Sequence, residues 1–193
     1  MDIQRPLSKQ PLPKEAKRVF KGVIFDVYQW QQKMFDGSVQ TFEKLKRKDT
    51  VIIIPITEEG KIILIEQEQP ARNPFIGLAG GRINEGENIE TAACRELLEE
   101  TGYETDELVF WDAIQPVGKI EWSVFTFIAK NCRRVNEPQL DAGEKMRLKF
   151  VTFDEFVEIV TDNGFDDLEI VMKVMRAKLN SKKMEDLRKL FLS

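Results

Sequence analysis

A chain of 193 residues is long enough for one full domain with a small additional subdomain. Its hydrophobic content of 42% and charged content of 32% are those of an ordinary globular protein. A formal net charge of −4, with no extended basic stripe, argues against a nucleic-acid partner. No apolar run reaches the length of a membrane span or of a signal-peptide core, so the sequence also predicts no membrane partner.

Histidine is absent, and the two cysteines, Cys94 and Cys132, are too far apart along the chain to form a metal-binding pair. Nucleophile schemes that depend on histidine and the common zinc sites are therefore excluded. The chemistry must come from carboxylates, other polar side chains or a metal held by oxygen atoms. Cys94 follows two alanines on a predicted helix and is expected to be buried, and the cysteine usage favours a reducing, cytoplasmic setting.

In chain order, residues 1–48 are predicted to form a loose leader and a small antiparallel β subdomain. Residues 19–30 and 39–48 are strand-like and are joined by an Asp-Gly turn at 35–38. A hairpin of this size cannot bury a core alone, so it must pack on the main domain or on a partner. Its basic cluster, KLKRK at 44–48, is interpreted as facing solvent along a strand, with contact to phosphate as the alternative.

The main domain is predicted for residues 49–193. Residues 50–56 and 61–67 are nearly continuous β-branched runs, which indicates strands covered on both faces. A long loop at 70–87 follows, and then a helix from Asn88 to Thr101. Further strands are predicted near 107–115, 122–130 and 147–153, and further helices at 154–160, 166–179 and 182–192.

Three carboxylates crowd the end of the helix that closes at Thr101. Glu96, Glu99 and Glu100 are spaced so that a helix brings them onto one face. Gly102 is the expected C′ residue, so they lie at the negative end of the helix dipole, at a cost of roughly 0.3–1 kcal/mol each. A solvated helix face is one interpretation. A positive group that binds these carboxylates explains the pattern better.

The spacing of these residues resembles the Nudix box. The family pattern is G-x5-E-x7-R-E-U-x-E-E-x-G-U, where U is a bulky apolar residue. From Gly81 the chain reads glycine, five residues, Glu87, seven residues, Arg95-Glu96-Leu97, one residue, Glu99-Glu100, one residue and Gly102-Tyr103. The resemblance implies an α/β (α+β) fold, the Nudix α/β/α sandwich with a mixed sheet, preceded here by the N-terminal β subdomain.

The resemblance also implies a Mg²⁺ site, with Mn²⁺ as the alternative ion, because carboxylate oxygens suit such hard cations. The metal ligands that it implies are Glu96, Glu99, Glu100 and the carbonyl of Gly80. Glu99, Glu100 and Arg95 belong to the implied catalytic set, and Glu87 and Arg95 would orient the loop and the helix. Gly81 and Gly102 have structural roles in the box. A bound ion would neutralise a diphosphate and activate a water.

The strands before the main domain resemble the ADP-ribose/NDP-sugar pyrophosphatase branch of the family, as does Pro116, which lies fourteen residues beyond Gly102. The branch implies hydrolysis of a nucleoside diphosphate derivative, an NDP-sugar or ADP-ribose, by a homodimer with exchanged N-terminal strands. A nucleoside triphosphate pyrophosphohydrolase and a non-catalytic nucleotide sensor are the alternatives. The additional N-terminal strands disfavour the first, and the complete set of box glutamates disfavours the second.

Candidate substrate-binding residues lie outside the box. Trp30 could stack on a nucleobase, with a core position as the alternative. Glu43 matches the strand-two glutamate of the branch, and Arg72 is the nearest replacement for an arginine that the branch carries after its fourth strand. In that branch the general base is a glutamate in the loop before the last core strand. The matching residue here is Glu144, with Asp141 as its competitor.

Overall fold

In a computed structural model of the protein, the described residues are 3–139, 145–162 and 164–192. The helices are α1 (Ile89–Thr101), α2 (Phe153–Thr161), α3 (Leu168–Lys178) and α4 (Ser181–Leu192). The strands are β1 (Lys17–Lys21), β2 (Asp26–Lys33), β3 (Val39–Lys46), β4 (Thr50–Thr57), β5 (Ile62–Glu68), β6 (Phe75–Gly77), β7 (Ala79–Arg82), β8 (Tyr103–Glu104), β9 (Glu107–Ile114), β10 (Ile120–Glu121), β11 (Val124–Arg134) and β12 (Lys145–Val151). No helix within the described ranges is long and apolar enough to cross a membrane.

The larger sheet is mixed and forms the centre of the molecule. Its strand order is β12-β5-β4-β11-β8, with β6 paired to β5, β7 to β4 and β9 to β11. β4 and β11 run parallel, whereas β12 and β5 run antiparallel. Every residue of β4 is buried, which confirms the prediction of a strand covered on both faces.

Helices cover the two faces of this sheet. Ile52 and Ile54 of β4 belong to a core cluster with residues of α2, α3 and α4, whereas Val51 and Ile53 pack in a second cluster with α1. This division arises because successive side chains of a strand point to opposite faces. The predicted α/β/α sandwich with a mixed sheet is therefore confirmed.

The smaller sheet has the order β1-β2-β3-β10. β2 and β3 form the predicted hairpin, with Trp30 opposite Phe42, and Gly37 in its turn has a φ of 85°. β10 comes from the main domain and adds to β3 in parallel, through Ile120 and Glu121. The two sheets are thus joined through β10, and the proposed domain boundary after residue 48 stays a prediction.

The N-terminal leader is bound at Arg5, Ser8 and Gln10, which corrects the expectation of a loose segment. Arg5 donates to Glu121 at 2.7 Å. The Lys44 ammonium donates to Ser8 Oγ at 2.9 Å, to the Gln10 carbonyl at 2.6 Å and to Glu121 Oε2 at 2.7 Å. Lys44 is 1% exposed, so the solvent-facing interpretation of the basic cluster is wrong for this residue.

Two other local predictions differ from the structure. β6 and β7 lie inside the segment 70–87, which was expected to be a loop, because glycine-rich sequence carries little strand signal. Cys94 is exposed, not buried. The buried side of α1 includes Ala93 and Leu97, and Cys94 is turned about 100° from Ala93 around the helix.

Candidate active site

Helix α1 has the ends that its sequence predicts. The Asn88 side chain caps the first turn by accepting from the Glu90 N–H at 2.8 Å. At the other end Gly102 adopts the left-handed conformation with a φ of 73°, and its N–H donates to the Leu98 carbonyl at 2.9 Å. A Cβ at Gly102 would overlap the Asn136 carbonyl. The last turn of α1 is therefore closed by glycine, with the three carboxylates just before it.

Arg95 connects the carboxylates of the box. Its Nε and Nη2 donate to the two Glu87 oxygens at 2.8 and 3.0 Å. Its Nη1 donates to Glu96 at 2.8 Å and to Glu99 at 3.0 Å. Nη2 also reaches the Arg82 carbonyl at 3.1 Å, which ties the helix to the end of β7. Arg95 therefore supplies part of the positive charge that the crowded carboxylates require.

The local electrostatics follow from these contacts. Hydrogen bonds from Arg95 and from the Asn84 N–H hold the pKa of Glu87 at about 2. Burial raises the pKa of Glu96, with Arg95 opposing the shift and the charge of Glu99 adding to it. The hydrogen bond to Glu87 in turn raises the pKa of Arg95. Glu87 is thus held ionised as an anchor, whereas Glu96 carries a charge that burial disfavours.

Two glycines of β7 allow these carboxylates to approach the sheet. The Gly80 N–H donates to Glu100 Oε2 at 2.9 Å. A Cβ at Gly81 would overlap the Glu96 carboxylate, and a Cβ at Gly80 would overlap the Val51 carbonyl. A larger residue is therefore excluded at Gly80 by the β4 backbone, whereas at Gly81 it would displace the Glu96 side chain.

The residues at this end of α1 have the right donor types for a divalent cation. Carboxylate oxygens and a backbone carbonyl are the ligands that Mg²⁺ and Mn²⁺ prefer. In the part of the chain that the structure describes, no three such side chains converge closely enough to hold an ion. Arg95 binds Glu96 and Glu99 through the same nitrogen, but the Glu99 side chain is 44% exposed and has room to turn. The site therefore fits a metal if Glu99 rotates away from Arg95.

A cleft of about 1190 Å³ opens on the other side of β7. Gly80, Gly81 and Arg82 line its floor. Its walls come from several parts of the chain: the N-terminal leader, the segment before β2, the segment around Arg47, the strands β9 and β11 with the loop between them, and α3 with the residues just before it. The two glycines thus contact the α1 carboxylates on one side and this cleft on the other.

Charged residues of both signs line the cleft. The Arg47 guanidinium lies 4.6 Å from the centroid of the Trp122 ring. Lys173 forms an ion pair with Asp112 on the α3 side. Asp167 accepts from the Leu78 N–H at 2.9 Å, and burial of its carboxyl raises its pKa to about 7. The cleft therefore offers cationic groups at one end of β7 and carboxyl groups near the other.

The sequence identifies Arg47 only as a member of the basic cluster, and it does not indicate that Asp167 has a buried carboxyl. Asp166 and Asp167 precede an apolar helical pattern, which is a signal for a helix start that could have drawn attention to them. Their position in the cleft depends on β7, whose strand pairing the local sequence does not show.

The candidate substrate residues lie in different places. Trp30 is 6% exposed and packs on Phe42 in the smaller sheet, with ring centroids 5.9 Å apart. Glu43 accepts from Gln29 at 3.0 Å on the surface of the same sheet. Arg72 pairs with Asp166, which lines the cleft. Trp30, Glu43 and Arg72 are not among the described lining residues, so their roles stay predictions.

Glu144 and Asp141, the two candidates for the general base, lie outside the described residues. β12 begins directly afterwards, at Lys145, and pairs with β5. The expectation that one of them acts as the base is therefore unchanged by the structure.

Comparison with known proteins gives the family. Residues 46–173 match the NUDIX domain. An ADP-ribose pyrophosphatase of Bacillus subtilis (strain 168) is 26% identical over 178 residues, covering 91% of this chain and 95% of that protein. A methanol dehydrogenase activator of Bacillus methanolicus is 26% identical over 169 residues, covering 86% of this chain and 91% of that protein. A crystal structure of an ADP compounds hydrolase has the same fold, with a TM-score of 0.69 and 20% identity over 94% of this chain and 98% of that one. The chain therefore belongs to the NUDIX family and is a Nudix hydrolase.

Proposed function

We propose that the protein hydrolyses the diphosphate bond of a nucleoside diphosphate linked to a second group, with an NDP-sugar or ADP-ribose as substrate. The observation that carries this proposal is the meeting of the α1 carboxylates with Gly80 and Gly81 at the floor of the cleft. The cleft volume of about 1190 Å³ is sufficient for a ligand of that size. The match to an ADP-ribose pyrophosphatase along nearly the whole chain supports the same substrate class.

The reaction would use Mg²⁺ or Mn²⁺ held by Glu96, Glu99, Glu100 and the Gly80 carbonyl. A bound ion neutralises phosphate charge, polarises the phosphorus–oxygen bonds and lowers the pKa of a bound water. Glu87 anchors Arg95, and Arg95 orients the carboxylates beside it, which is the support that metal ligands generally require. The glycine backbone keeps the ligands next to the cleft.

Proton removal from the attacking water is assigned to Glu144. Glu144→Gln is expected to lower kcat by about 10²–10⁴-fold, the usual contribution of a general base, with little change in KM. Steady-state kinetics would measure both constants. If Asp141→Asn gives that result and Glu144→Gln does not, the base is Asp141; if neither does, the base belongs to the box.

We also infer a homodimer, with residues 1–48 as the dimerisation element, acting in the reducing cytoplasm. Large apolar side chains are exposed on and around the smaller sheet, which favours its burial by a second copy. They are Val19, Phe20, Val23, Ile24, Phe35 and Val39. Both cysteines are free, which agrees with a reducing compartment.

The test is turnover of a panel of nucleotides with Mg²⁺ and with Mn²⁺. The wild type should release a nucleoside monophosphate from ADP-ribose or an NDP-sugar, and Glu100→Gln should nearly abolish this release while keeping the fold. Glu90→Gln changes the opposite end of α1 and is the matched control, which should remain active. Turnover of nucleoside triphosphates alone would favour the triphosphate alternative. Binding without any turnover would favour a sensor.

A further inference from the structure

Two arginines lie together where the cleft floor ends. Arg82 is the last residue of β7 and stands opposite Thr50 of β4. Arg47 lies between β3 and β4, and both arginines line the cleft together with Gly80 and Gly81. Since a strand rises about 3.3 Å per residue, Arg82 lies only about 3–7 Å along β7 from these glycines. One diphosphate compound can therefore contact the glycines and the arginines at once.

Arg47 is held by aromatic rings instead of an acidic partner. Its guanidinium lies 4.6 Å from the centroid of Trp122 and 5.6 Å from that of Phe25. The Trp122 ring is fixed in turn, because its Nε1 donates to Thr50 Oγ1 at 3.1 Å. Within the described ranges, no carboxylate pairs with Arg47, and its buried Nε has no hydrogen-bond partner.

This arrangement is unfavourable for the protein without an anion. Burial lowers the pKa of Arg47, and the positive charge of Arg82 lowers it further. Arg95, on the α1 side of β7, instead donates to three carboxylates. Residues that lower the stability of the fold and also line a cleft are expected to be there because they bind a ligand. The missing partner of Arg47 and Arg82 is therefore sought in a ligand.

We propose that Arg47 and Arg82 bind a phosphate group of the substrate and thereby position its diphosphate over Gly80 and Gly81. The inference rests on the proposed function for the identity of that phosphate. A guanidinium presents planar, paired donors that match phosphate oxygens, and stacking on Trp122 orients the Arg47 donors before the substrate arrives. The two arginines are thus substrate-binding residues that select for a phosphate at this distance from the metal ligands.

The first test uses inorganic pyrophosphate as the probe, in EDTA so that no metal contributes. Pyrophosphate should raise the melting temperature of the wild type, because it binds only the folded state. The rise in melting temperature should disappear in Arg47→Met and become smaller in Arg82→Gln. Arg82 is exposed, so its substitution does not disturb the core. Arg133→Met is the matched control and should keep the full rise, since Arg133 pairs with Glu104 and Asp106 on the surface.

The melting temperature without pyrophosphate separates a binding role from a structural one. Methionine keeps contact with the rings of Trp122 and Phe25 and removes the half-buried charge. Arg47→Met is therefore expected to melt at the temperature of the wild type or above it. A large drop in melting temperature would show that the arginine is structural and would overturn the proposal.

Kinetics give the second test. Arg47→Met should raise KM by about 10–100-fold, the effect of losing a charged hydrogen bond, with a smaller change in kcat. The KM of Arg47→Lys should lie between those of the wild type and Arg47→Met, because lysine keeps the charge but not the paired donors. The proposal is overturned if pyrophosphate does not stabilise the wild type, or if it stabilises Arg47→Met and Arg82→Gln equally well. If instead the proposed function is wrong, the wild type will show no turnover but will still be stabilised by pyrophosphate, so the two failures can be distinguished.

Discussion

At Gly81, a single missing Cβ decides where Glu96 can lie. A Cβ there would overlap the Glu96 carboxylate. Gly81→Ala is expected to lower turnover by displacing the carboxylate of Glu96, a proposed metal ligand, and to change stability only a little, because that carboxylate is the end of a flexible side chain and can move aside. Thermal unfolding and turnover would measure the two effects. Gly118→Ala is the matched control, because a Cβ at Gly118 meets no atom within 4 Å. Equal turnover by the two variants would contradict a functional contact between position 81 and Glu96.

Asp167 makes stability depend on pH in a direction opposite to that of most carboxylates. Burial raises the pKa of its carboxyl to about 7, and the charges of Asp166 and Glu169 act in the same direction. The Leu78 N–H and the charge of Arg72 oppose the shift. Because the folded pKa lies above the ordinary carboxyl pKa of 3.8, the contribution of Asp167 to stability is greatest below pH 3.8 and is lost as the pH rises through about 7.

Asp167→Asn removes this ionisation and keeps an oxygen that can accept from Leu78. The variant is expected to be more stable than the wild type at pH 8, by about 1–3 kcal/mol, and to differ less at pH 5. Urea unfolding at the two pH values would measure the change. A variant that is less stable at pH 8 would mean that the ionised carboxylate stabilises the fold.

At the scale of elements, α1 was predictable because its signals are local. Asn88 and Gly102 mark its two ends, and the box spacing places the carboxylates on its last turns. β7 was not predictable in this way. Its strand conformation depends on pairing with β4, and Gly80 and Gly81 are required by neighbours that are distant in the sequence. Local pattern therefore predicts the helix of the box but not the floor of the cleft.

The basic cluster at 44–48 also owes its position to residues that are distant in the sequence. A run of lysine and arginine normally lies in solvent, and the sequence offers no reason to bury one of its members. The partners of Lys44 are Ser8, Gln10 and Glu121, which are separated from it by 36, 34 and 77 residues. Arg47 likewise depends on Trp122, which is distant from it in the sequence. Both positions are fixed by contacts between distant segments.

Lys44 joins the leader to β10, and removing it should loosen the connection. Lys44→Met leaves Glu121 with Arg5 as its remaining strong cationic partner, so we expect a loss of about 2–4 kcal/mol at pH 7, somewhat less than for a fully orphaned buried charge. Urea unfolding would measure it. Lys46→Met, at an exposed residue two positions further along the same strand, is the control and should change stability little. Equal stability of Lys44→Met and the wild type would rule out this role.

The effect of Lys44→Met should also depend on pH. Burial acts to raise the pKa of Glu121, but hydrogen bonds from Lys44 and Arg5 outweigh it and hold the pKa at about 2. Because the folded pKa is lowered, Glu121 stabilises the fold above its ordinary pKa of 4.5, and this stabilisation is lost as the pH falls towards 2. The difference between Lys44→Met and the wild type should therefore narrow in acid, and a constant difference would contradict the assignment.

At the scale of the whole molecule, the exposed apolar residues of the smaller sheet predict self-association. Sedimentation should give about twice the chain mass of 22.4 kDa, as expected for a two-fold dimer. Phe20→Glu places a charge on this sheet at a residue that is 60% exposed, and it should shift the protein towards monomer. Leu179→Glu, at the end of α3, is the control and should remain dimeric. A wild-type monomer would refute the prediction.

The central claim for the whole molecule is that water splits the diphosphate bond of a nucleoside diphosphate compound in this cleft. The most direct measurement is turnover of an NDP-sugar or ADP-ribose in ¹⁸O-labelled water with Mg²⁺, followed by phosphorus NMR and mass spectrometry of the products. We predict a nucleoside monophosphate and a sugar phosphate, with one ¹⁸O atom in one of the two phosphates, and almost no product from Glu100→Gln. A nucleoside diphosphate with a free sugar, or monophosphates without the label, would contradict the account.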